Sequence, residues 1–355
     1  MTKKMKVGII GTGAIARDQH LPYWKELQAE GRVEVTALCD LLEPVAQSMS
    51  AAFEVPRIFT DYKKMLRSSD FDIIDVCTHN RWHCPITVAA LKSGAHVLVE
   101  KPMAMNAAEC EKMIAAANDG NRTLMVAQHM RFEAPHEKLQ EIAASGALGD
   151  VYSASAVYLR RRGIPGWGKF HIKKESLGGP LIDIGVHVID LCYWLIGCPE
   201  PISASGKVYR KFGDRKDLCN AEWGVPYVNT EFDVEDYATA LVRFEKEITM
   251  TVEVSWAANI PEHRSAVTVL GDKAGVCTNP LGVFGCHGNS LTSMKFDWMP
   301  DQEGHRGEIR HFVECLEKKK TVRVLPSQSL NVQKIIDAIY ASSKKNGEVR
   351  IKQRV

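Results

Sequence analysis

No two cysteines in this chain stand as CxxC, and no cysteines and histidines stand at metal-ligand spacing. The ten cysteines are scattered. Cys39, Cys77 and Cys192 fall inside apolar runs, where a thiol serves as a small core side chain. A disulfide framework and a zinc site are therefore not expected, no metal is expected, and a reducing, cytoplasmic compartment fits best. Long apolar runs are missing as well. No segment approaches the length of a membrane span. The N-terminal MTKKMKVGIIGTG carries lysines, but its apolar stretch is too short for a signal peptide. Neither sign of charge is in excess, since 45 Lys and Arg against 43 Asp and Glu leave +2. That balance gives no electrostatic case for nucleic acid or an anionic membrane as partner. Internal repeats and low-complexity tracts are absent. What remains is a globular composition, 45% hydrophobic and 25% charged, over 355 residues. Such a length is too great for one small core and suits two domains.

The first third reads as a nucleotide-binding half. Lys6 to Ile10 is a short buried strand that runs into Gly11-Thr12-Gly13-Ala14-Ile15-Ala16. This is GxGxxA between a strand and a helix. Gly11 permits the tight turn, Gly13 lets the backbone approach a pyrophosphate, and Ala16 allows close helix–strand packing. The helix, expected over Ala14 to Glu30, turns free N–H groups and its positive end toward phosphates. Val33 to Cys39 is the second strand, with Asp40 at its end. A carboxylate there can hold an adenosine ribose; the alternative is a cap on the next helix. Leu41 and Leu42 follow, with no cation to meet a 2′-phosphate, which favours NAD over NADP.

The alternation continues through strands at Ile73 to Cys77, His96 to Glu100 and Leu124 to Gln128, and helices at Cys84 to Ser93 and Ala107 to Asn118. Strands alternating with helices imply a parallel, doubly wound sheet, with ligands at the carboxyl ends of its strands. Three polar clusters fall at those ends. They are Thr78-His79-Asn80 with His83, then Glu100-Lys101-Pro102, then Gln128-His129-Met130-Arg131. Lys101 follows the apolar VLV and precedes a proline that restricts its backbone. It can be an acid/base group or a hydroxyl anchor; the alternative is a solvated surface lysine.

From about residue 131 the pattern changes. After a helix at Ala134 to Ala144, alternating segments run from Val151 to Arg160, Ser203 to Tyr209, Asp236 to Glu245, Ile248 to Trp256 and Ser265 to Leu270. They point to a large, mostly antiparallel sheet. Tyr158 and Arg160 share one face of the first strand. The basic loop Arg161 to Lys174 is either solvated surface or a lid that sets Trp167 or His171 against a sugar ring. Late helices are expected at Glu308 to Glu317 and Leu330 to Ser343, and a closing strand or tail at Val349 to Lys352. The expected domains are 1–130 and 131–355, with the last helix able to pack back on the first.

Gly178 to Asp190, GGPLIDIGVHVID, carries the second candidate for chemistry. Asp183 and His187 stand four apart in a run that reads as one helix, so both fall on one face. A carboxylate beside an imidazole can orient a proton-transfer group. The alternative is an ordinary Asp/His surface pair. The apolar flank of Leu181, Ile182, Ile184, Val186, Val188, Ile189, Leu191 and Leu195 favours a partly buried pair, where function concentrates.

GTGAIA, the VEKP at Val99 to Pro102 and GGPLIDIGVHVID, in that order, resemble the Gfo/Idh/MocA oxidoreductases, the family of glucose–fructose oxidoreductase and inositol dehydrogenase. The resemblance covers nearly the whole chain. It implies an N-terminal Rossmann domain and a C-terminal α+β domain with an open sheet used in dimer or tetramer contacts. It places the family's Lys, Asp and His triad on Lys101, Asp183 and His187. Its nicotinamide-side residues fall on Asn80, His83 and Glu100. Its substrate-side positions fall on Tyr158, Arg160 and His129, which differ in type from those of inositol dehydrogenases and leave the substrate open. The expected activity is NAD(H)-dependent oxidation or reduction at a ring hydroxyl of a cyclic polyol, sugar or glycoside. The alternatives are an aldose–lactone or nucleotide-sugar reaction, or a non-catalytic NAD-binding regulator.

Overall fold

The structure, a computed structural model, describes residues 4–68, 70–215 and 231–352. Met1 to Lys3, part of the stretch considered for a signal peptide, lie outside the described residues. The chain divides into two units. One comprises Met1–Phe132 and Gln302–Leu330; the other comprises Glu133–Asp301 and Asn331–Val355.

The first unit is built on six strands: β1 (Met5–Ile10), β2 (Val33–Cys39), β3 (Ile58–Phe59), β4 (Ile73–Val76), β5 (His96–Glu100) and β6 (Leu124–Ala127). Their order is β3-β2-β1-β4-β5-β6, and every pairing is parallel. This is the doubly wound Rossmann arrangement, with its order reversing between β1 and β4. β4 and β6 are buried along their whole length, as parallel strands covered on both faces must be. Three elements escaped the sequence reading: β3 and the helices Glu43–Phe53 and Tyr62–Ser68.

The segment that joins this unit from far along the chain is Gln302–Leu330, whereas the sequence reading placed 131–355 in one domain. Its helix Gly304–Lys318 puts Ile309, Phe312 and Val313, spaced i, i+3, i+4, into the same core as Trp24 and Leu27. Arg306 and Arg310 then meet Glu26 of the helix Leu21–Ala29, and Arg310 also meets Glu30 at its C-terminal cap. Of the last helix, Pro326–Lys345, only the residues up to Leu330 belong to this unit.

The second unit carries nine strands: β7 (Val151–Leu159), β8 (Pro201–Tyr209), β9 (Tyr237–Phe244), β10 (Thr249–Ser255), β11 (Arg264–Gly271), β12 (Ala274–Thr278), β13 (Leu281–His287), β14 (Ser290–Met294) and β15 (Val349–Arg350). Their order is β14-β13-β12-β11-β7-β10-β9-β8-β15. Among the described residues of this sheet, only β7 and β10 pair in parallel. The sheet is thus mostly antiparallel, with one covered and one open face. Met250, Val252 and Val254 of β10 are buried, while Thr249, Thr251 and Glu253 alternate with them on the less covered side. Thr251 pairs with Ser155, and Ser155 with Thr268, so small hydroxyl side chains form a row across that face. No helix among the described residues is long and apolar enough to cross a membrane.

Candidate active site

In the first unit, polar groups gather at the carboxyl ends of β1, β2, β4 and β5. Gly11 sits at φ +90°, where a Cβ would stand 2.5 Å from the Cys77 carbonyl oxygen. Glycine is required there on both counts. Gly13 differs, since a Cβ would find nothing within 4 Å. Its surroundings are open on the side where a pyrophosphate would lie. Asp40 Oδ2 accepts the Thr12 N–H at 2.9 Å and the Thr12 hydroxyl at 3.1 Å; its Oδ1 accepts the Leu42 N–H at 3.0 Å. Asp40 therefore ties the glycine loop to the end of β2. It does not cap the next helix, whose N-cap is Leu42. Ala14 is exposed and Ile15 half-buried beside them. The Thr78 hydroxyl oxygen is buried without a hydrogen-bond partner, an acceptor and donor left over at the end of β4. An open glycine loop, a half-exposed carboxylate beyond β2 and a spare hydroxyl fit a dinucleotide.

The helix after β4 begins at Asn80, one turn earlier than its sequence suggested. Asn80 is therefore a first-turn residue. His83 lies beneath the turn and not on its surface. It is fully buried, with Nδ1 2.7 Å from the Pro102 carbonyl oxygen and Nε2 3.0 Å from that of Thr78. Burial lowers its pKa, so it is neutral at neutral pH and donates to one carbonyl at a time. Its place in the structure is to tie the Thr78 turn to the Lys101-Pro102 turn. Glu100 is nearly buried, and its Oε2 accepts the Lys101 backbone N–H at 3.0 Å. Burial pushes the Glu100 carboxyl up, but the His20 hydrogen bond and charge, with Lys101 and His305, hold it at about 2. Lys101 itself is half-buried. His129 opens a short 3-10 turn after β6 and stacks on His305 at 4.1 Å. Burial and then the His305 charge bring its pKa down to about 3.

In the second unit, the run from Gly178 is held from below. The buried Glu235 accepts the Tyr340 hydroxyl at 2.8 Å and the Leu181 N–H at 3.2 Å. A Cβ on Gly178 would overlap the Tyr340 hydroxyl, and one on Gly179 the Glu235 carbonyl oxygen. Both glycines are thus needed for close approach. The single helix expected over Asp183 and His187 is corrected by the structure. Pro180–Asp183 and Gly185–Leu195 are separate helices, parted at Ile184, whose φ of −103° opens the turn. Gly185 is pressed between the Pro180 carbonyl and Val254, which a larger residue would push apart. Asp183 Oδ2 accepts the indole N–H of the fully buried Trp256 at 3.0 Å. Asp183 and His187 are both half-buried, and the eight apolar residues around them are buried.

On the same sheet, Arg160 lies just past the end of β7 and is nearly buried. Its Nη1 donates to the Gly163 carbonyl at 3.2 Å and its guanidinium stands 5.3 Å from the Tyr158 ring centre. The structure thus brings Tyr158 and Arg160 together. The basic loop after them is anchored by Arg162, which donates to the Ala258 carbonyl and to Asn259, and by the buried Ile164. Trp167 and His171 are half-buried on it, and burial lowers the His171 pKa.

The sequence reading missed His20, Asp75 and Glu308 in the first unit, and Glu235, Trp256 and Tyr340 in the second. One signal was there to read, a carboxylate inside the apolar strand Ile73–Val76, which must find a buried partner.

Two family models cover most of the chain. Residues 5–128 match the one described as "Oxidoreductase family, NAD-binding Rossmann fold", and residues 136–277 match the GFO/IDH/MocA C-terminal domain. The chain is similar to D-glucoside 3-dehydrogenase of Escherichia coli (strain K12), 30% identical over 98% of this chain and 97% of that one. The chain belongs to the GFO/IDH/MocA oxidoreductases. Another relative, the D-xylose 1-dehydrogenase (NADP(+)) 2 of Haloferax volcanii, is 26% identical over 98% of this chain and all of its own length. The fold of the family is shared by a levoglucosan dehydrogenase in complex with NADH and levoglucosan, with a TM-score of 0.85 at 21% identity, covering 99% of this chain and 100% of that one. The chain is an oxidoreductase with an NAD-binding Rossmann domain.

Proposed function

We propose that this enzyme oxidises a secondary ring hydroxyl of a glycoside, sugar or cyclic polyol, using NAD. The observation that carries the reading is the full-length likeness to a D-glucoside 3-dehydrogenase. NAD, when bound, supplies the hydride acceptor. The glycine loop from Gly11 through Ile15, with Thr12, Gly13 and Ala14, holds the pyrophosphate. Asp40 takes ribose hydroxyls with the share of its oxygens left by Thr12 and Leu42, and it disfavours a 2′-phosphate. Thr78, Asn80 and Glu100 serve the nicotinamide side, with His83 supporting them from below. Lys101 hydrogen-bonds the substrate oxygen and steadies its developing negative charge. His187, beside Asp183, takes the hydroxyl proton; the alternative division makes Lys101 the base. His129, Tyr158, Arg160, Trp167 and His171 select the substrate. We also propose a cytoplasmic homo-oligomer, a dimer or tetramer, with the open sheet face between subunits.

Incubating the purified protein with NAD and a panel of glucosides, inositols and free aldoses tests the reading. The expected result is reduced nicotinamide together with a keto sugar from the glycosides or polyols. A lactone formed only from free aldoses would replace it with the aldose–lactone reaction. Tight NADH binding without turnover of any member would favour a regulatory protein.

A further inference from the structure

The helix that leaves the glycine loop contains one wide turn. Ala16–His20 is a π-helix in which the Leu21 N–H reaches the Ala16 carbonyl five residues back. Pro22, on the next turn, has no N–H to give to Asp18 and its ring crowds that carbonyl. The wide turn sends His20 into the interior, where it is fully buried. Single π turns of this kind recur at functional sites.

There His20 meets carboxylates from three other elements. Its Nδ1 lies 2.8 Å from Asp75 Oδ2, and its Nε2 2.9 Å from Glu100 Oε1. The Trp24 indole donates to the same Asp75 oxygen at 2.7 Å. Glu308, from the helix Gly304–Lys318, lies beside them, fully buried, and neither of its oxygens has a hydrogen-bond partner among the described residues. Cys77 and His305 complete the surroundings.

We propose that His20 is the positioning residue of the Glu100-Lys101 turn, clamped between Asp75 and Glu100 so that Glu100 keeps the orientation in which it receives the Lys101 backbone N–H. The proposal rests on the reading of Lys101 as a reacting group. A ring that faces a carboxylate with each nitrogen needs both its protons. Two buried carboxylates are in turn tolerable only with a cation between them. Burial opposes that charge, but Asp75 and Cys77 raise the His20 pKa well above its ordinary value. Glu308 goes the other way. Burial and then the charge of Glu100 raise its pKa well above the carboxylate range, so it sits there as a neutral acid. His20, Glu100 and Glu308 each offer an atom within 4.8 Å of the others, a spacing loose enough for a cation. A doubly protonated His20 ring, however, has no lone pair for a metal.

Histidine NMR on nitrogen-labelled protein without cofactor tests the charge directly. The His20 signals can be assigned through their proximity to the Trp24 indole. The expected state at about pH 8, above the ordinary histidine range, is doubly protonated; a neutral ring there would overturn the proposal whatever the substrate proves to be. Kinetics across pH test the consequence. Without its cation, Glu100 is left to burial, and its pKa rises. His20→Gln should keep KM for the sugar and lose about ten- to a hundred-fold in kcat. It should also move the acid-side fall in activity to higher pH than in wild type. Glu308→Gln, one neutral group for another, should keep the wild-type kcat and profile. A His20→Gln enzyme with wild-type kcat and pH profile would overturn the proposal, as would a loss explained wholly by less folded protein. Should wild type turn over no sugar, the functional reading fails, while the NMR result still decides the proposal.

Discussion

Asp40 has two tasks at one position. Its oxygens hold Thr12 and Leu42, and its half-exposed charge stands where the adenosine ribose of a bound dinucleotide would lie. The neighbours Leu41 and Leu42 are exposed and offer no cation to a phosphate. Asp40→Ser should therefore raise catalytic efficiency with NADP relative to NAD by about ten-fold or more, since it removes a like-charge repulsion. Efficiency with NAD should itself fall, because the glycine loop loses an anchor. Unchanged cofactor selectivity in this variant would show that Asp40 does not face the ribose. At this scale the sequence displayed groups at strand ends, where a polar residue interrupts an apolar run. It hid partners far apart in the chain. His20 stands 55 residues from Asp75 and 80 from Glu100, and no local pattern ties them.

Among the elements, the turn after β1 offers a paired test because its two glycines are needed for different reasons. Gly11 is bound by backbone geometry and by the Cys77 carbonyl, whereas Gly13 faces open space. Gly11→Ala should destabilise the fold, by roughly 1–3 kcal/mol, through strain and overlap. Gly13→Ala should keep the wild-type unfolding temperature and lose NADH affinity, since its methyl group would fill the place of the pyrophosphate. Equal NADH affinity in Gly13→Ala and wild type, by fluorescence titration, would contradict this role. The strands of the first sheet other than the two-residue β3 were legible because they are continuous apolar runs between turn signals, as in His96–Glu100. β12, β13 and β14 were not. β14 is exposed throughout, and Gly275, Gly282 and Gly285 thin the alternation in the two before it. The break at Ile184 was also hidden, because the run's own apolar pattern stays helical through it.

On the scale of the whole molecule, the open face of the nine-stranded sheet carries half-buried Ser155 and Thr268 and exposed Thr251 in one row. Small side chains let another sheet or subunit approach closely, and a partner would cover them. Light scattering at micromolar concentration should report a dimer or tetramer; a monomer would contradict the proposed assembly. The return of Gln302–Leu330 to the first unit was beyond the sequence reading. Its helix has an apolar stripe, but a stripe does not say which core receives it. The arginines Arg306 and Arg310 acquire meaning only once Glu26 and Glu30 are placed opposite them.

The central claim is the proposal that Lys101 and His187 are reacting groups and not parts of the scaffold. The most direct test compares turnover and NADH affinity in wild type, Lys101→Ala, His187→Ala and the double variant. Loss of acid/base help costs about a hundred- to ten-thousand-fold. Each single variant should lose turnover on that scale, while NADH titration and unfolding temperature stay near wild type. The double variant should lose less than the product of the singles, because groups that act on one transition state are not additive. Turnover that survives in either single variant, or that falls only in step with NADH affinity and unfolding temperature, would contradict the account.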